Sequence, residues 1–416
     1  HAPGERPEPR PQPGAKHHSR DRRHGRGDYL GMDPAAPLRA FYFLYYGYVG
    51  TFQPHFAAYL RGLGWSGEQI GVVQTLPSFL APAVAMTWAA WADRIGNPVR
   101  ALRRATLVAG TAALALPFAR TPLVLGAILV AQALGERAVI PLVDAVTLDW
   151  ARREPSRSYA RIRLFGSLGF VVLAIAVGAL LAARGDRPAD PLVPVTIAAC
   201  VVLYALLARR LPRSTMVGDR PGPRDLAALL RDRRLLALLA ACALHWAACA
   251  PYHLFFGVLV RDLGLSANVT GLGMGVGVAG ELLALVAFPR LVARFSTRTL
   301  FAAAFLGSAV RWVLVARIAS AEALVAVQLL HGLTFGVFWG TAMHALAGAV
   351  PPRVRATGTA LFAAVVFGGG NGAGYLLSGL GYDRLGGAGP LFAAAAAVEL
   401  LALAVALARS SRPVPA

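Results

Sequence analysis

Apolar residues in this chain come in long unbroken blocks separated by short polar connections. Leu123–Gln132, Leu235–Leu244 and Leu391–Leu407 each lie in stretches long enough to cross a bilayer, which takes about 20 apolar residues. Hydrocarbon offers no partner for backbone N–H and C=O groups, so such stretches are helices or strands of a closed barrel. They lack period-two alternation and are rich in Ala and Leu, which selects helices. The blocks predict twelve, at 38–60, 69–90, 102–119, 122–150, 163–183, 191–208, 235–260, 269–289, 299–317, 321–348, 357–379 and 390–408. The expected fold class is an all-α polytopic membrane protein.

The longest connection divides the chain into two halves of six helices each. The expected domains are a basic tail at 1–37, a bundle at 38–208, a central loop at 209–234, a second bundle at 235–408 and a short tail at 409–416. The halves align at an offset of 200 residues: Arg61-Gly62-Leu63-Gly64-Trp65-Ser66 matches Arg261-Asp262-Leu263-Gly264-Leu265-Ser266, and Gly71 and Arg94 match Gly271 and Arg294. Loop positions align as well as helical ones, so the chain reads as an internal repeat. Many transporters place a central site between two such halves. Ser66 stands three residues before Gln69, the spacing of a capping box that starts helix 2.

Composition agrees. Hydrophobic residues make up 56% of the chain and charged residues only 15%, against roughly a quarter in soluble proteins. The net charge of +20 would suggest nucleic acid in a soluble protein. Here the arginines crowd into alternate loops, about 24 on one side against about 7 on the other outside the tail, as the positive-inside rule requires. That bias places both termini in the cytoplasm of a bacterial inner membrane. Lys16 is the sole lysine, a mark of a GC-rich genome. The polar tail before residue 37 has no apolar core, so it reads as disordered and not as a signal peptide, with Met32 a candidate start. His17 and His18 within it are weak grounds for a metal site. Cys200, Cys242 and Cys249 all fall inside apolar blocks and read as small buried hydrophobes.

Helix 2 ends in Ala89-Ala90-Trp91-Ala92-Asp93-Arg94-Ile95-Gly96. This resembles the loop signature of the major facilitator superfamily, with Ala89 in place of its first glycine. The resemblance implies the MFS fold, two pseudo-symmetric six-helix bundles, and a gating role for Asp93 and Arg94. Within the superfamily, Tyr159–Phe170, His331–Gly336 and Ala356–Leu361 resemble the phenylpropionate-permease group, which is related to lactose-permease-like proton symporters. That likeness maps a helix 8 carboxylate onto Glu281, a helix 9 arginine onto Arg311 and a helix 10 histidine onto His331. It stops there: Thr334 and Gln328 stand where those symporters carry a further carboxylate and a lysine.

Charges at the middle of a bilayer cost at least ~2.5 kcal/mol each, so those that persist need a reason. Glu281 follows a glycine series in helix 8, about 18 Å from the helix's outer end at 1.5 Å per residue. A carboxyl alternately dried and wetted takes up and releases a proton, the minimum chemistry of coupling. In helix 4, Arg137 and Asp144 share a face and Glu136 projects beside them. Such a cluster either pairs internally or exchanges partners with a substrate carboxylate, which the guanidinium fork suits. Tyr45 and Gln53 in helix 1 stand at the offset-200 positions of His245 and His253 in helix 7. Trp339 and His344 in helix 10 are weaker candidates, Asp149 is expected to pair with Arg153, and Glu399 has no evident partner.

The sequence therefore predicts a secondary transporter, with proton-coupled symport of a small organic solute, an aromatic carboxylate among the candidates, as its leading function. Glu281, His331 and Arg311 are the proton-coupling candidates. Glu136, Arg137, Asp144, Tyr45, Gln53, His245, His253 and Trp339 are the substrate candidates. A proton-driven efflux pump and a non-transporting sensor are the alternatives. Expected partners are the solute, protons and membrane lipid, with no nucleic acid, no cofactor and no enzymatic activity, in a monomer. No Walker segment or Ser-x-Gly elbow is present.

Overall fold

The computed structural model describes residues 35–214, 227 and 229–408. Residues 1–34 of the expected tail at 1–37, the tail at 409–416 and most of the central loop lie outside these residues, and with them Lys16, His17, His18 and Met32; Ala36 and Pro37 already belong to the first helix. From Ala35 onward the chain is one compact unit, and its described residues contain no strand.

Among the described residues, twelve long helices run back and forth in chain order. They are α1 (Ala36–Gly62), α2 (Gly67–Ile95), α3 (Pro98–Ala113), α4 (Pro122–Arg152), α5 (Tyr159–Ala183) and α6 (Leu192–Leu207), then α7 (Arg233–Asp262), α8 (Ala267–Arg294), α9 (Thr297–Arg317), α10 (Ala321–Ala349), α11 (Thr357–Leu385) and α12 (Ala388–Ala408). Ten are long and apolar enough to span a membrane by themselves. The others are α1, which carries Gln53, His55 and several tyrosines, and α3, which is only 16 residues long and holds three arginines in its first half. α1 is largely shielded by its neighbours. All twelve coincide with the apolar blocks.

Local chemistry sets the helix starts. Ser66 and Gln69 form the expected capping box, each side chain bonded to the other's backbone N–H. Ser266 caps α8, so the helix begins at Ala267, one residue before Asn268. Gly96, in the left-handed region at φ 58°, closes α2 just beyond Asp93 and Arg94.

Among the described residues, four helices are irregular: α11, π-helical over Ala363–Gly370, α7, and at matching depth α4 and α10. α4 breaks at Arg137-Ala138, between the segments Pro122–Glu136 and Val139–Arg152. Pro141 accounts for this: it has no N–H to offer the Arg137 carbonyl, and its ring crowds that carbonyl. α10 widens into a π-helix over Gly332–Val337, the repeat equivalent of 132–137. α7 is also interrupted, at Cys249, two residues before Pro251.

The halves meet where α2 crosses α11 and where α5 crosses α8, with α1 against α7 between them. The crossings are backbone against backbone. A Cβ on Gly71 would lie 2.6 Å from the Tyr375 oxygen, and one on Gly271 would lie 2.3 Å from the Ala174 oxygen. These two glycines are repeat partners, so the same absence of a side chain serves both crossings.

Close to those crossings, one face of the molecule is sealed by hydrogen bonds between the halves. Asp383, at the end of α11, accepts from the N–H groups of Gly67 and Glu68 at 2.9 and 2.7 Å. Asp186, after α5, accepts from the N–H of Ala267 at 3.0 Å. Each carboxylate thus sits on the exposed N–H groups at the start of the other half's second helix, where the helix dipole favours negative charge. Arg261 adds donors to the backbone oxygens of Ala58, Asp186 and Arg187 at 3.2–3.3 Å.

Candidate functional site

Beneath the sealed face a cavity of about 250 Å³ lies between the halves. Helix α1 brings Tyr45, Tyr46, Tyr48, Phe52 and Gln53 to it; α2 brings Gln74, α4 Glu136 and Arg137, α7 His253, and α11 Tyr375. At 1.5 Å per residue, Ala57 and Tyr45 mark depths of about 8 and 26 Å below the end of α1, so the cavity straddles the middle of the bundle.

Its charged element is a neutral pair. Arg137 Nε lies 3.4 Å from Glu136 Oε2, and the Tyr45 hydroxyl donates to Glu136 Oε1 at 2.5 Å. The break in α4 gives this geometry: Glu136 ends one helical segment, Arg137 occupies the turn, and both reach the same space. Glu136 is buried whereas the Arg137 side chain is 35% exposed, so the guanidinium still has donors for a guest.

The break also displaces Asp144. It joins a second cluster, accepting from the Tyr42 hydroxyl at 2.5 Å, while Arg163 of α5 donates to the Tyr46 hydroxyl and lies over that ring at 4.2 Å. Glu136, Arg137 and Asp144 of α4 are therefore divided between two neighbouring clusters. Arg163 stands within the Tyr159–Phe170 segment, but the sequence alone gave it no partner; Tyr42 and Tyr46 of α1 supply that environment.

In the C-terminal half, Glu281 Oε2 is 3.5 Å from His331 Nε2. Gly277 leaves the room that His331 fills, since a Cβ there would meet the ring at 3.2 Å. His331 stacks on Phe335 at 4.1 Å, and Phe335 in turn contacts the cavity residue His253 at 5.6 Å. An aromatic wall thus separates the Glu281–His331 pair from the cavity. Arg311 is wholly buried and does not reach for solvent: it donates to Gln328 Oε1 at 2.6 Å and lies over the rings of Tyr252 and Trp312 at 4.3 and 4.6 Å. Gln328, where related symporters carry lysine, is thus the partner of the arginine.

Tyr45, Gln53, His253, Glu136 and Arg137 meet at the cavity; His245 and Trp339 do not line it. His245 is fully buried against Glu399, which has found the partner missing from the sequence reading. Trp339 stacks on Phe367 at 5.8 Å. Asp93 and Arg94 stand in the last turn of α2, at the end opposite the sealed face. Asp149 pairs with Arg153 at 2.5 Å, as their spacing predicts. Cys249 approaches His245 and Glu399, but both ring nitrogens of His245 already face oxygen acceptors, so the group is a hydrogen-bonded cluster and not an open ligand set.

Two six-helix halves around a midplane polar cavity, with irregular helices at matched depth, define a multi-pass membrane transporter. The chain belongs to the MFS_1 like family, whose sequence pattern matches residues 36–394. It is 30% identical over 338 residues to a maltose permease of Geobacillus stearothermophilus, covering 80% of this chain and 83% of that one. It is 26% identical over 352 residues to a probable 3-phenylpropionic acid transporter of Escherichia coli, covering 83% and 90%. In fold it resembles the nucleoside transporter NupG, with a TM-score of 0.78 at 15% identity over 92% of this chain and all of that one. A bacterial homologue of the lysosomal transporter Spinster follows, with a TM-score of 0.69 at 17% identity over 92% and 98%.

Proposed function

We propose that this transporter is a proton-coupled symporter of a small hydroxylated ring solute, working by alternating access in a bacterial inner membrane with both termini cytoplasmic. The observation that carries the proposal is the cavity itself, at the joint between the halves and sealed from one face. By the arginine bias that face is the outer one, so the arrangement described here is closed to the outside.

The cavity's chemistry favours a neutral guest. Its one arginine is matched by Glu136, and its remaining groups are hydroxyls, amides and an imidazole arranged around aromatic rings. A polyol ring stacks its C–H face on such rings and bonds to both members of the pair without separating them. A carboxylate would have to draw Arg137 from Glu136, leaving that buried anion without its partner. The maltose permease relative agrees with a sugar-like solute. An aromatic carboxylate is the second reading, favoured by the part-exposed Arg137 guanidinium and by the relative named for 3-phenylpropionic acid.

Glu281 is the proposed coupling group, with His331 as its partner and Arg311 supporting the same region through Gln328. The test is uptake into proteoliposomes under an imposed pH gradient, with maltose and 3-phenylpropionate as the first solutes. Glu281→Gln is expected to abolish concentrative uptake while leaving solute exchange across the membrane; unchanged accumulation would remove Glu281 from the mechanism.

A further inference from the structure

One polar group inside the C-terminal half is untouched by the cavity and by the Glu281 pair. His245 of α7 and Glu399 of α12 are both wholly buried. His245 Nδ1 lies 2.8 Å from Glu399 Oε2, and Nε2 lies 2.9 Å from the backbone oxygen of Thr334. Trp312 Nε1 donates to the other carboxylate oxygen at 3.0 Å. His245 is about 18 Å along α7 and Glu399 about 16 Å along α12, so both stand near mid-bilayer.

The partners fix the hydrogen count. A carbonyl oxygen only accepts, so Nε2 carries a hydrogen. Nδ1 and Oε2 then need one more hydrogen between them, whichever atom owns it. Imidazolium with carboxylate and imidazole with carboxylic acid have the same total charge. Without that proton a ring lone pair would face a carboxylate across the same short gap, and the contact would have to part. The link between α7 and α12 is therefore closed with a proton and opened without one.

Its surroundings connect it to the transport site. Thr334 belongs to the π-helical turn of α10, a kind of irregularity frequent at functional positions. That turn follows His331, which faces Glu281 on one side, and offers the Thr334 carbonyl to His245 on the other. Cys249 on α7, with Sγ 3.7 Å from His245 Nε2, His253 further along α7 and Arg311 on α9 are the other ionisable groups acting on the pair. Beyond Cys249 the same helix continues to His253 at the cavity.

We propose that the His245–Glu399 dyad is a second proton-binding site of the transport cycle, joined to Glu281–His331 through the widened turn of α10. This rests on the proton-coupled reading above. Glu399→Gln provides a close test, because the amide can donate to Nδ1 and accept from Trp312, reproducing the protonated dyad with no proton to give up. In proteoliposomes this variant is expected to exchange solute at near the wild-type rate. Its gradient-driven accumulation should fall roughly tenfold or more, with fewer protons moved per solute. Wild-type accumulation and stoichiometry in Glu399→Gln would make the dyad a structural clasp and overturn the proposal alone. A wild-type protein without gradient-driven uptake would overturn this proposal and the symport reading together. A measurement on the intact dyad does not depend on that variant's folding. With the other six of the seven tryptophans changed to Phe, Trp312 emission should shift with pH as a single-proton transition. Emission that stays flat between about pH 5 and about pH 8 would also overturn the proposal.

Discussion

Tyr45, Glu136 and Arg137 form the charged corner of the cavity, and in the proposed function solute choice turns on them. The Tyr45 hydroxyl and the Arg137 guanidinium both engage Glu136, so the cavity offers a guest paired charge and no net charge. Glu136→Gln keeps the shape and leaves Arg137 without its anion. Its expected effect is a reversal of preference: weaker binding of neutral sugars and stronger binding of ring carboxylates, read by titration calorimetry on purified protein. A hydrogen bond to a charged group contributes about 1.5–3 kcal/mol, so the shift should be tenfold or more. Loss of affinity for both classes alike would mean that Glu136 only supports the fold. At this scale the sequence was partly legible. Ionisable residues inside apolar blocks stand out because the bilayer penalises them, and Glu136, Arg137, Glu281 and His331 were visible for that reason. What it hid was pairing between distant helices: Glu399 with His245, and Asp144 with Tyr42, are 154 and 102 residues apart.

Helices were legible almost to their ends, since block length and capping residues are local signals. Their interruptions were not. Pro141 and Pro251 mark the breaks in α4 and α7 only once a continuous helix is seen to pass through them, and no residue type announces the π turn of α10. The glycines divide similarly. The repeat picks out Gly71 and Gly271 as equivalent, but their use as contact points between halves depends on which helices cross. Gly71→Ala places a methyl group against the Tyr375 oxygen and Gly379, backbone atoms that cannot yield as a side chain would. The expected result is a protein that still inserts and folds but loses its sealed arrangement. A cysteine introduced at Gln53 should then react faster with a membrane-impermeant maleimide added from outside. Unchanged labelling would show that the crossing has slack.

At the scale of the whole molecule, the seal has two matched parts, Asp383 on the start of α2 and Asp186 on the start of α8. A carboxylate at a helix start contributes about 0.3–1 kcal/mol at an exposed site. Replacing both by Asn keeps an acceptor oxygen and removes the charge. Two such losses, together about 0.6–2 kcal/mol, amount to a roughly 3–30-fold change in the ratio of sealed to unsealed molecules. The double variant, Asp186→Asn with Asp383→Asn, should therefore label faster at the Gln53→Cys position, and each single variant should give an intermediate rate. High salt should narrow the difference, because both sites are near water. A single variant equal to the double would mean that only one latch carries the closure.

The glycine crossings also determine how far a small rotation reaches. Gly71 lies close to one end of α2, and the other end, at Ile95, is about 36 Å away at 1.5 Å per residue. A tilt of about 10° around that point would carry Ile95 through about 6 Å while the glycine itself hardly moves. The short arm holds the latches and the long arm ends beside Asp93 and Arg94, so a rocking motion of the proposed kind would be geared: little travel at one doorway would become wide travel at the other.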